Sequence, residues 1–211
     1  MSKVYLFDLD GTLVDSMQQW AGKMLRILNE YHMDYPADII RTITPLGDSG
    51  TAKLFIQMGI PLSEPDLRAK MDAYAIEEYT HRIPLKAGVE SYLKQCKAEG
   101  GKLYVLTASP HKMTDVCLKR NGVYDLFDRV WTVDDFGMTK AQPEIYHAAA
   151  KEIGCTPGEI VFFDDNIVAL TTAKTAGLQT VGVYDPSAEQ DQDKVKATAH
   201  QYLRSFTEWA K

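Results

Sequence analysis

Two aspartates, separated by a single leucine, follow the first apolar run of the chain. The run from Val4 to Phe7 is unbroken, which is typical of a strand buried on both faces of a parallel sheet, and Asp8 and Asp10 come directly after it. Two carboxylates at the end of a buried strand repel each other, and burying their charge is costly unless a cation compensates it. We therefore expect these side chains to face water or to bind something positive.

Further polar side chains stand at the ends of other predicted strands. Because ligands bind outside the carboxyl ends of the strands in an open parallel sheet, we expect these side chains to share one site with Asp8 and Asp10. Four carboxylates in one small site would repel strongly, and a hard divalent cation, here Mg²⁺, relieves this by taking oxygen ligands. The residues concerned are Thr107 and Ser109 after the second strand, Lys140 after the third, and Asp164 and Asp165 after the fourth.

The elements that position these residues alternate between strands and helices. Predicted strands after the first one cover 102–107, 128–133, 159–165 and 178–184, and predicted helices cover 87–99, 110–121, 143–153 and 166–176. This alternation predicts an α/β fold with a Rossmann-like, doubly wound parallel sheet. The C-terminal stretch 188–210, with Val195, Tyr202, Phe206 and Trp209 at its apolar positions, is predicted to be a covering helix.

The first strand is followed by an insertion. About 94 residues separate it from the second strand, far more than the roughly 30 of a strand-helix-strand unit. Apolar residues at helical spacing, Trp20 among them, predict helices throughout this stretch. These helices span 16–33, 36–43, 49–58 and 64–81. We therefore predict a Rossmann-like core of residues 1–15 and 82–211 that carries an all-helical cap domain of residues 16–81.

Composition limits the classes of partner. Of the 211 residues, 45% are apolar, which is ample for a buried core, and the net charge is -6 with no basic run. We therefore expect neither nucleic acid nor a membrane surface as a partner. The N-terminus has no signal-peptide pattern and the chain has no apolar segment of about 18 residues, so we expect a cytoplasmic protein. We also expect a monomer or a weak dimer. The three cysteines have no metal-ligand spacing and are expected to be reduced thiols.

Four motifs resemble those of the haloacid dehalogenase superfamily of phosphotransferases, in the subgroup with a helical cap inserted after the first strand. In chain order they are DLDGT (8–12), LTAS (106–109), TKAQPEIY (139–146) and VFFDDN (161–166). Their order and their positions at strand ends make the resemblance specific, and it covers the whole chain. One departure is Ala141, since relatives commonly have proline directly after the lysine.

The resemblance implies catalytic and metal-binding roles for the aspartates. Asp8 would attack phosphorus and form an aspartyl-phosphate, while Asp10 would protonate the leaving oxygen and later deprotonate the hydrolytic water. Mg²⁺ would be held by Asp8, by the backbone carbonyl of Asp10 and by Asp165. Asp164 would lie close by or act through water.

The resemblance also implies a phosphate-binding group of residues. The Thr107 hydroxyl and the Lys140 ammonium would contact the phosphate, and both would contribute to catalysis. Ser109 is predicted to cap a helix whose first residue is Pro110, so that backbone N–H groups around Ala108 and Ser109 would point at the same phosphate oxygens.

These roles imply a Mg²⁺-dependent phosphomonoesterase that acts on a small phosphorylated metabolite, a sugar phosphate or a phosphoglycolate-like acid. A hydrolytic dehalogenase would need neither Mg²⁺ nor a leaving-group acid, and the presence of Asp10, Asp164 and Asp165 argues against it. A receiver-like signalling module, which also accepts phosphate on an aspartate, would lack Asp10 and the inserted cap. A non-catalytic phosphate-binding protein is a further alternative, although no motif residue is missing.

A sugar phosphomutase of the same subgroup is the main alternative, because it shares all four motifs. A mutase must grip the second phosphate of a sugar bisphosphate, and the subgroup uses an arginine between the second and third cap helices for this. Here the stretch TITPLGDSGTA (42–52) has no lysine or arginine, and it carries Asp48, which would repel a second phosphate. Arg41 and Lys53 flank this stretch but are predicted to belong to helices. Because the stretch itself offers no cation for a second phosphate, we predict a phosphatase.

Overall fold

A computed structural model of the protein describes residues 3–210, apart from the side chains of Gln18, Trp20 and Pro45. In this part of the chain, six parallel strands form one sheet in the order β3-β2-β1-β4-β5-β6. The strands are β1 (Val4–Phe7), β2 (Lys102–Thr107), β3 (Arg129–Thr132), β4 (Ile160–Asp164), β5 (Gln179–Val183) and β6 (Gln201–Leu203). The strand order reverses between β1 and β4, and the predicted Rossmann-like fold class is confirmed. The prediction that Trp20 is an apolar core position concerns a side chain outside the described ones.

Strand β1 lies inside the sheet and is buried along its whole length. Val4 and Leu6 belong to an apolar cluster on one face of the sheet. On the other face the ring of Phe7 stacks on that of Phe163 in β4, with 4.6 Å between the ring centroids. Burial on both faces explains why the apolar run is continuous rather than alternating.

The chain forms two compact units, one of residues 17–82 and one of residues 1–16 and 83–211. These boundaries lie one residue after the predicted 16–81 at both ends. The first unit is inserted between β1 and β2, and its helices are α1 (Met17–Glu30), α2 (Ile39–Ile43), α3 (Gly47–Gln57) and α4 (Glu64–His81). Its core is an apolar cluster that includes Met24, Phe55 and Met71.

The helices of the α/β unit cover both faces of the sheet. They are α5 (Val89–Ala98), α6 (His111–Arg120), α7 (Val133–Phe136), α8 (Pro143–Ile153), α9 (Ile167–Thr175) and α10 (Gln192–Thr198). Tyr146 of α8 and Ala173 of α9 pack into the cluster that contains Leu6, whereas Tyr92 of α5 packs edge-on against Phe7 on the opposite face. No helix among the described residues is both long and apolar enough to cross a bilayer.

The prediction of a covering helix over 188–210 is wrong. Helix α10 ends at Thr198, and the chain then forms β6, which pairs in parallel with β5. The apolar spacing matched a helix, but β5 would otherwise leave a row of unpaired backbone N–H and C=O groups, and residues 201–203 satisfy them. Phe206, in the following short 3₁₀ helix, packs beside Tyr92.

Gly88 allows this C-terminal segment to approach α5 closely. Its φ is +85°, and a Cβ atom there would collide with the backbone of Phe206 and Thr207. Gly122 has a similar φ of +71°, but nothing lies within 4 Å of the place where its Cβ would stand. The two glycines therefore separate the effect of backbone conformation from the effect of a close contact.

We expect Gly88→Ala to lower the free energy of unfolding by about 3 kcal/mol, because it adds a steric collision to the strain of a left-handed backbone. The matched control Gly122→Ala should cost only about 1 kcal/mol, since strain alone acts there. Urea denaturation followed by circular dichroism measures both values. Equal losses in the two variants would show that the packing of Phe206 and Thr207 on Gly88 contributes nothing.

Candidate active site

Three carboxylates converge at the carboxyl ends of β1 and β4. Asp8, Asp164 and Asp165 each offer an oxygen atom, and these atoms lie within 4.8 Å of one another. Their residues are only 4%, 0% and 8% exposed. The backbone N–H of Asp8 donates to the Phe163 carbonyl at 2.9 Å, so the parallel pairing of the two strands continues into the site. Sheet order thus brings together residues that are distant in the chain.

Lys140 joins this group from the segment after β3. Its Nζ atom lies 2.5 Å from Oδ1 of Asp8 and 2.8 Å from Oδ2 of Asp164. The hydroxyl of Tyr146 donates to the Lys140 carbonyl at 3.0 Å and lies 3.1 Å from the Ala169 carbonyl, which ties the lysine segment to α9. The lysine is therefore held at both its backbone and its ammonium group.

The charges of the site do not balance. Burial raises the pKa of the Asp8 carboxyl to about 7, and although Lys140 opposes this shift, the carboxylates of Asp164 and Asp10 add to it. Burial and the neighbouring carboxylates also raise the pKa of Asp165. With all groups ionised, three carboxylates and one ammonium leave an excess of two negative charges. A divalent cation with oxygen ligands fits both this charge and this donor set.

Gly11 permits the approach of Asp165 to the turn after β1. Its φ is +77°, and a Cβ atom there would lie 2.6 Å from Oδ2 of Asp165. The Thr12 hydroxyl lies 3.4 Å from Oδ1 of the same carboxylate, a long hydrogen bond. The turn that carries Asp10 and Gly11 therefore forms one wall of the acidic cluster.

The Asp10 carboxylate lies outside the cluster formed by Asp8, Asp164 and Asp165. Its Oδ2 accepts a hydrogen bond of 2.6 Å from the Ser109 hydroxyl. This position leaves the backbone carbonyl of Asp10 as its predicted metal contact, and that contact stays a prediction. Sequence reasoning did not find the contact between Asp10 and Ser109, which joins two loops that are distant in the chain.

The predicted helix cap at Ser109 is wrong. Helix α6 begins at His111 with Pro110 in the capping position, and the Ser109 hydroxyl is directed to Asp10 instead. The Ser109 N–H donates to the Thr107 hydroxyl at 3.0 Å, and the Ser109 carbonyl accepts from Thr114 at 3.0 Å. In this arrangement the Ser109 N–H serves the loop itself, while Ala108 lies exposed at its tip. Thr107 is fully buried at the end of β2.

Two further polar residues beside the turn escaped the sequence analysis. Lys86 donates through Nζ to the Gly11 carbonyl, and the same atom lies 2.8 Å from Oδ2 of Asp185. Asp185 lies just after β5, so the rule that sites form at strand ends could have singled it out. No pattern in the sequence marks Lys86, because it lies in the segment that returns from the inserted unit.

Comparison with known proteins places this geometry in a family. The haloacid dehalogenase-like hydrolase family matches residues 5–183. Hexitol phosphatase B from Escherichia coli K12 is 27% identical, with 96% of this chain and 92% of the relative covered. Pyrophosphatase PpaX from Bacillus velezensis is 29% identical, with 84% and 81% covered.

Solved structures show the same fold. The β-phosphoglucomutase structure from Clostridium difficile superposes with a TM-score of 0.72 at 18% sequence identity, and the match covers 99% of this chain and 93% of that one. At this level of identity the likeness concerns the fold alone. The family match over most of the chain, together with relatives named as phosphatases, shows that the protein belongs to the haloacid dehalogenase-like hydrolases and is an enzyme acting on phosphate esters.

Proposed function

We propose that the protein is a Mg²⁺-dependent phosphomonoesterase that hydrolyses a small phosphorylated metabolite through an aspartyl-phosphate on Asp8. The observation that carries this proposal is the contact of the Lys140 ammonium with both Asp8 and Asp164, directly beside Asp165. This arrangement presents a carboxylate nucleophile together with a fixed cation at the carboxyl edge of the sheet. The relative named hexitol phosphatase B supports the same reaction.

The first step is the attack of the Asp8 carboxylate on phosphorus. A carboxylate about 4 Å from a phosphate dianion meets roughly 8 kcal/mol of repulsion at an effective dielectric constant near 20. Lys140 reduces this repulsion from its position 2.5 Å from Asp8. Asp8, Asp165 and the Asp10 carbonyl would hold Mg²⁺, with Asp164 close by, and the ion would supply two further positive charges.

Asp10 is suited to handle the proton of the leaving group. Its carboxylate stands apart from the acidic cluster, and the Ser109 hydroxyl orients it through a hydrogen bond of 2.6 Å. In the proposed reaction a protonated Asp10 donates to the departing oxygen, and the resulting carboxylate then accepts a proton from the water that attacks the aspartyl-phosphate. Thr107 would position the phosphate together with the backbone N–H of the exposed Ala108, because the Ser109 N–H already donates to the Thr107 hydroxyl.

We propose that the substrate is a sugar phosphate or a phosphoglycolate-like acid. One relative is named hexitol phosphatase B, which supports a small phosphate ester as substrate, and another is named a pyrophosphatase. We propose that the enzyme works in the cytoplasm as a monomer or weak dimer, without nucleic acid or membrane as a partner. The net charge of -6 and the three free cysteines support this setting.

The test is phosphate release from a panel of phosphorylated sugars, hexitols and short acids, with and without chelation. We expect turnover of at least one small phosphate ester, loss of that turnover in EDTA, and full recovery when Mg²⁺ is added in excess. EDTA saturated beforehand with Mg²⁺ is the control and should leave the rate unchanged. Full activity after exhaustive chelation would contradict the metal site.

A sugar phosphomutase remains the second candidate, and one structural finding weakens the case against it. Asp48 does not stand as an uncompensated charge, because its carboxylate lies 3.1 Å from Nζ of the largely buried Lys23. The repulsion expected from Asp48 is therefore weaker than its sequence position implies. In the panel, bisphosphate-stimulated conversion of glucose 1-phosphate into its 6-phosphate isomer, faster than phosphate release, would favour the mutase.

A further inference from the structure

Lys86 occupies a junction beside the acidic cluster. Its Nζ atom contacts three oxygen atoms, namely the Gly11 carbonyl, the Tyr184 carbonyl at 2.7 Å and Oδ2 of Asp185 at 2.8 Å. Its backbone N–H donates to the Leu13 carbonyl at 2.9 Å. Both ends of this residue are therefore attached to the turn that follows β1.

The partner carboxylate is itself held firmly. Asp185 is 1% exposed, and its Oδ1 accepts hydrogen bonds of 2.9 and 2.5 Å from the backbone N–H and the hydroxyl of Ser187. Its Oδ2 meets Lys86 as an ionic contact rather than a well-aligned hydrogen bond. Lys86 is 15% exposed at its side chain. The two residues thus form a buried ion pair, in which Ser187 holds the Asp185 carboxylate in place.

The pair spans β4, whose carboxyl end carries two of the three clustered carboxylates, Asp164 and Asp165. In the sheet, β4 lies between β1 and β5. Lys86 connects the turn after β1, at Gly11, with Tyr184 and Asp185, which follow β5. Asp165 follows β4 and presses its carboxylate against Gly11, where even a Cβ atom would not fit. Movement of Gly11 would therefore displace the wall against which Asp165 rests.

We propose that Lys86 and Asp185 are positioning residues that hold the turn Asp8–Gly11 in the shape required to bind the divalent cation. This inference rests on the proposed function, since it assumes a metal at the acidic cluster. Neither residue would touch the ion or the substrate. Their effect would pass through the Gly11 carbonyl to the neighbouring Asp10 carbonyl and to Asp165.

Electrostatics alone predicts the opposite effect, which makes the proposal testable. Lys86 is a cation beside a cation-binding site, so its removal should tighten metal binding if only charge matters. If Lys86 positions the turn, its removal should weaken metal binding despite the added negative charge. Loss of partners that orient metal ligands typically costs a factor of 10 to 100 in affinity, so we expect at least about tenfold weaker binding.

The experiment titrates the purified protein with Mn²⁺ and counts free ion by electron paramagnetic resonance, without substrate. Mn²⁺ serves as the probe because it prefers the same oxygen ligands as Mg²⁺. We expect Lys86→Met to raise the dissociation constant about tenfold. The control Lys97→Met also removes a lysine that pairs with an aspartate, 2.8 Å from Asp128, but it does so away from the site and should leave Mn²⁺ binding unchanged.

A second variant guards against misfolding, because Lys86→Met leaves Asp185 buried without its counter-ion. The double variant Lys86→Met with Asp185→Asn removes both charges, so its net charge equals that of the wild type. We expect it to bind Mn²⁺ about tenfold more weakly while keeping its near-ultraviolet circular dichroism. Unchanged or tighter binding in the double variant would overturn the positioning role alone. Absence of Mn²⁺ binding in the wild type would overturn the proposed metal site as well.

Discussion

Replacing Asp8 with asparagine should reduce turnover to less than about 1% of the wild-type rate. The amide has nearly the same shape as the carboxylate but is a poor nucleophile, so the aspartyl-phosphate cannot form. The amide oxygen of the new side chain can still accept a hydrogen bond from Lys140, which remains 2.8 Å from Asp164. We therefore expect the fold to persist, as measured by near-ultraviolet circular dichroism, while phosphate release from the best substrate of the panel is lost.

The control for this variant is Asp134→Asn. Asp134 is an exposed aspartate just after β3, at the same edge of the sheet but outside the acidic cluster. It should keep the wild-type rate. Mass spectrometry checks that the new asparagine has not deamidated back to aspartate. Residual activity well above 1% in intact Asp8→Asn would then show that another group attacks phosphorus.

Replacing Asp10 with asparagine should separate substrates by their leaving groups. An alkyl alcohol leaves poorly without a proton, whereas p-nitrophenolate needs little protonation, and general acid catalysis typically contributes a factor of 10² to 10⁴. We expect kcat/KM to fall at least about 100-fold for an alkyl phosphate and less than about tenfold for p-nitrophenyl phosphate. The ratio kcat/KM is the appropriate quantity because it excludes the later hydrolysis step, in which Asp10 also takes part.

Ser109→Ala provides the companion variant for Asp10. It removes the hydroxyl that donates to Asp10 at 2.6 Å and leaves the carboxylate in place. We expect the same preference for good leaving groups with a smaller loss, because Asp10 would be less well oriented. Equal losses on alkyl and aryl phosphates in Asp10→Asn would remove this residue from the acid role.

The amino-acid sequence was enough to predict the parallel sheet and the polar residues that follow its strands. Continuous apolar runs are a local property, and buried strands of a parallel sheet require them on both faces, as Val4 and Phe7 show. Helices α4 and α8 begin and end at the predicted residues because their periodicity and first-turn prolines are also local signals. Since the carboxyl ends of parallel strands share one edge, the meeting of Asp8 with Asp164 followed from the strand pattern.

Only the folded structure shows the pairing partner of one C-terminal segment and the contacts of two polar side chains. The segment 201–203 pairs with β5, Ser109 turns to Asp10, and Lys86 reaches Gly11 and Asp185. For residues 201–203 the apolar spacing also suits a helix, and for Ser109 and Lys86 the local sequence does not specify a partner. The choice depends on an unpaired backbone group or a buried charge supplied by a distant part of the chain. Unpaired backbone groups and buried charges need a partner within the protein only after the sheet has formed, because water satisfies the same groups in the unfolded chain.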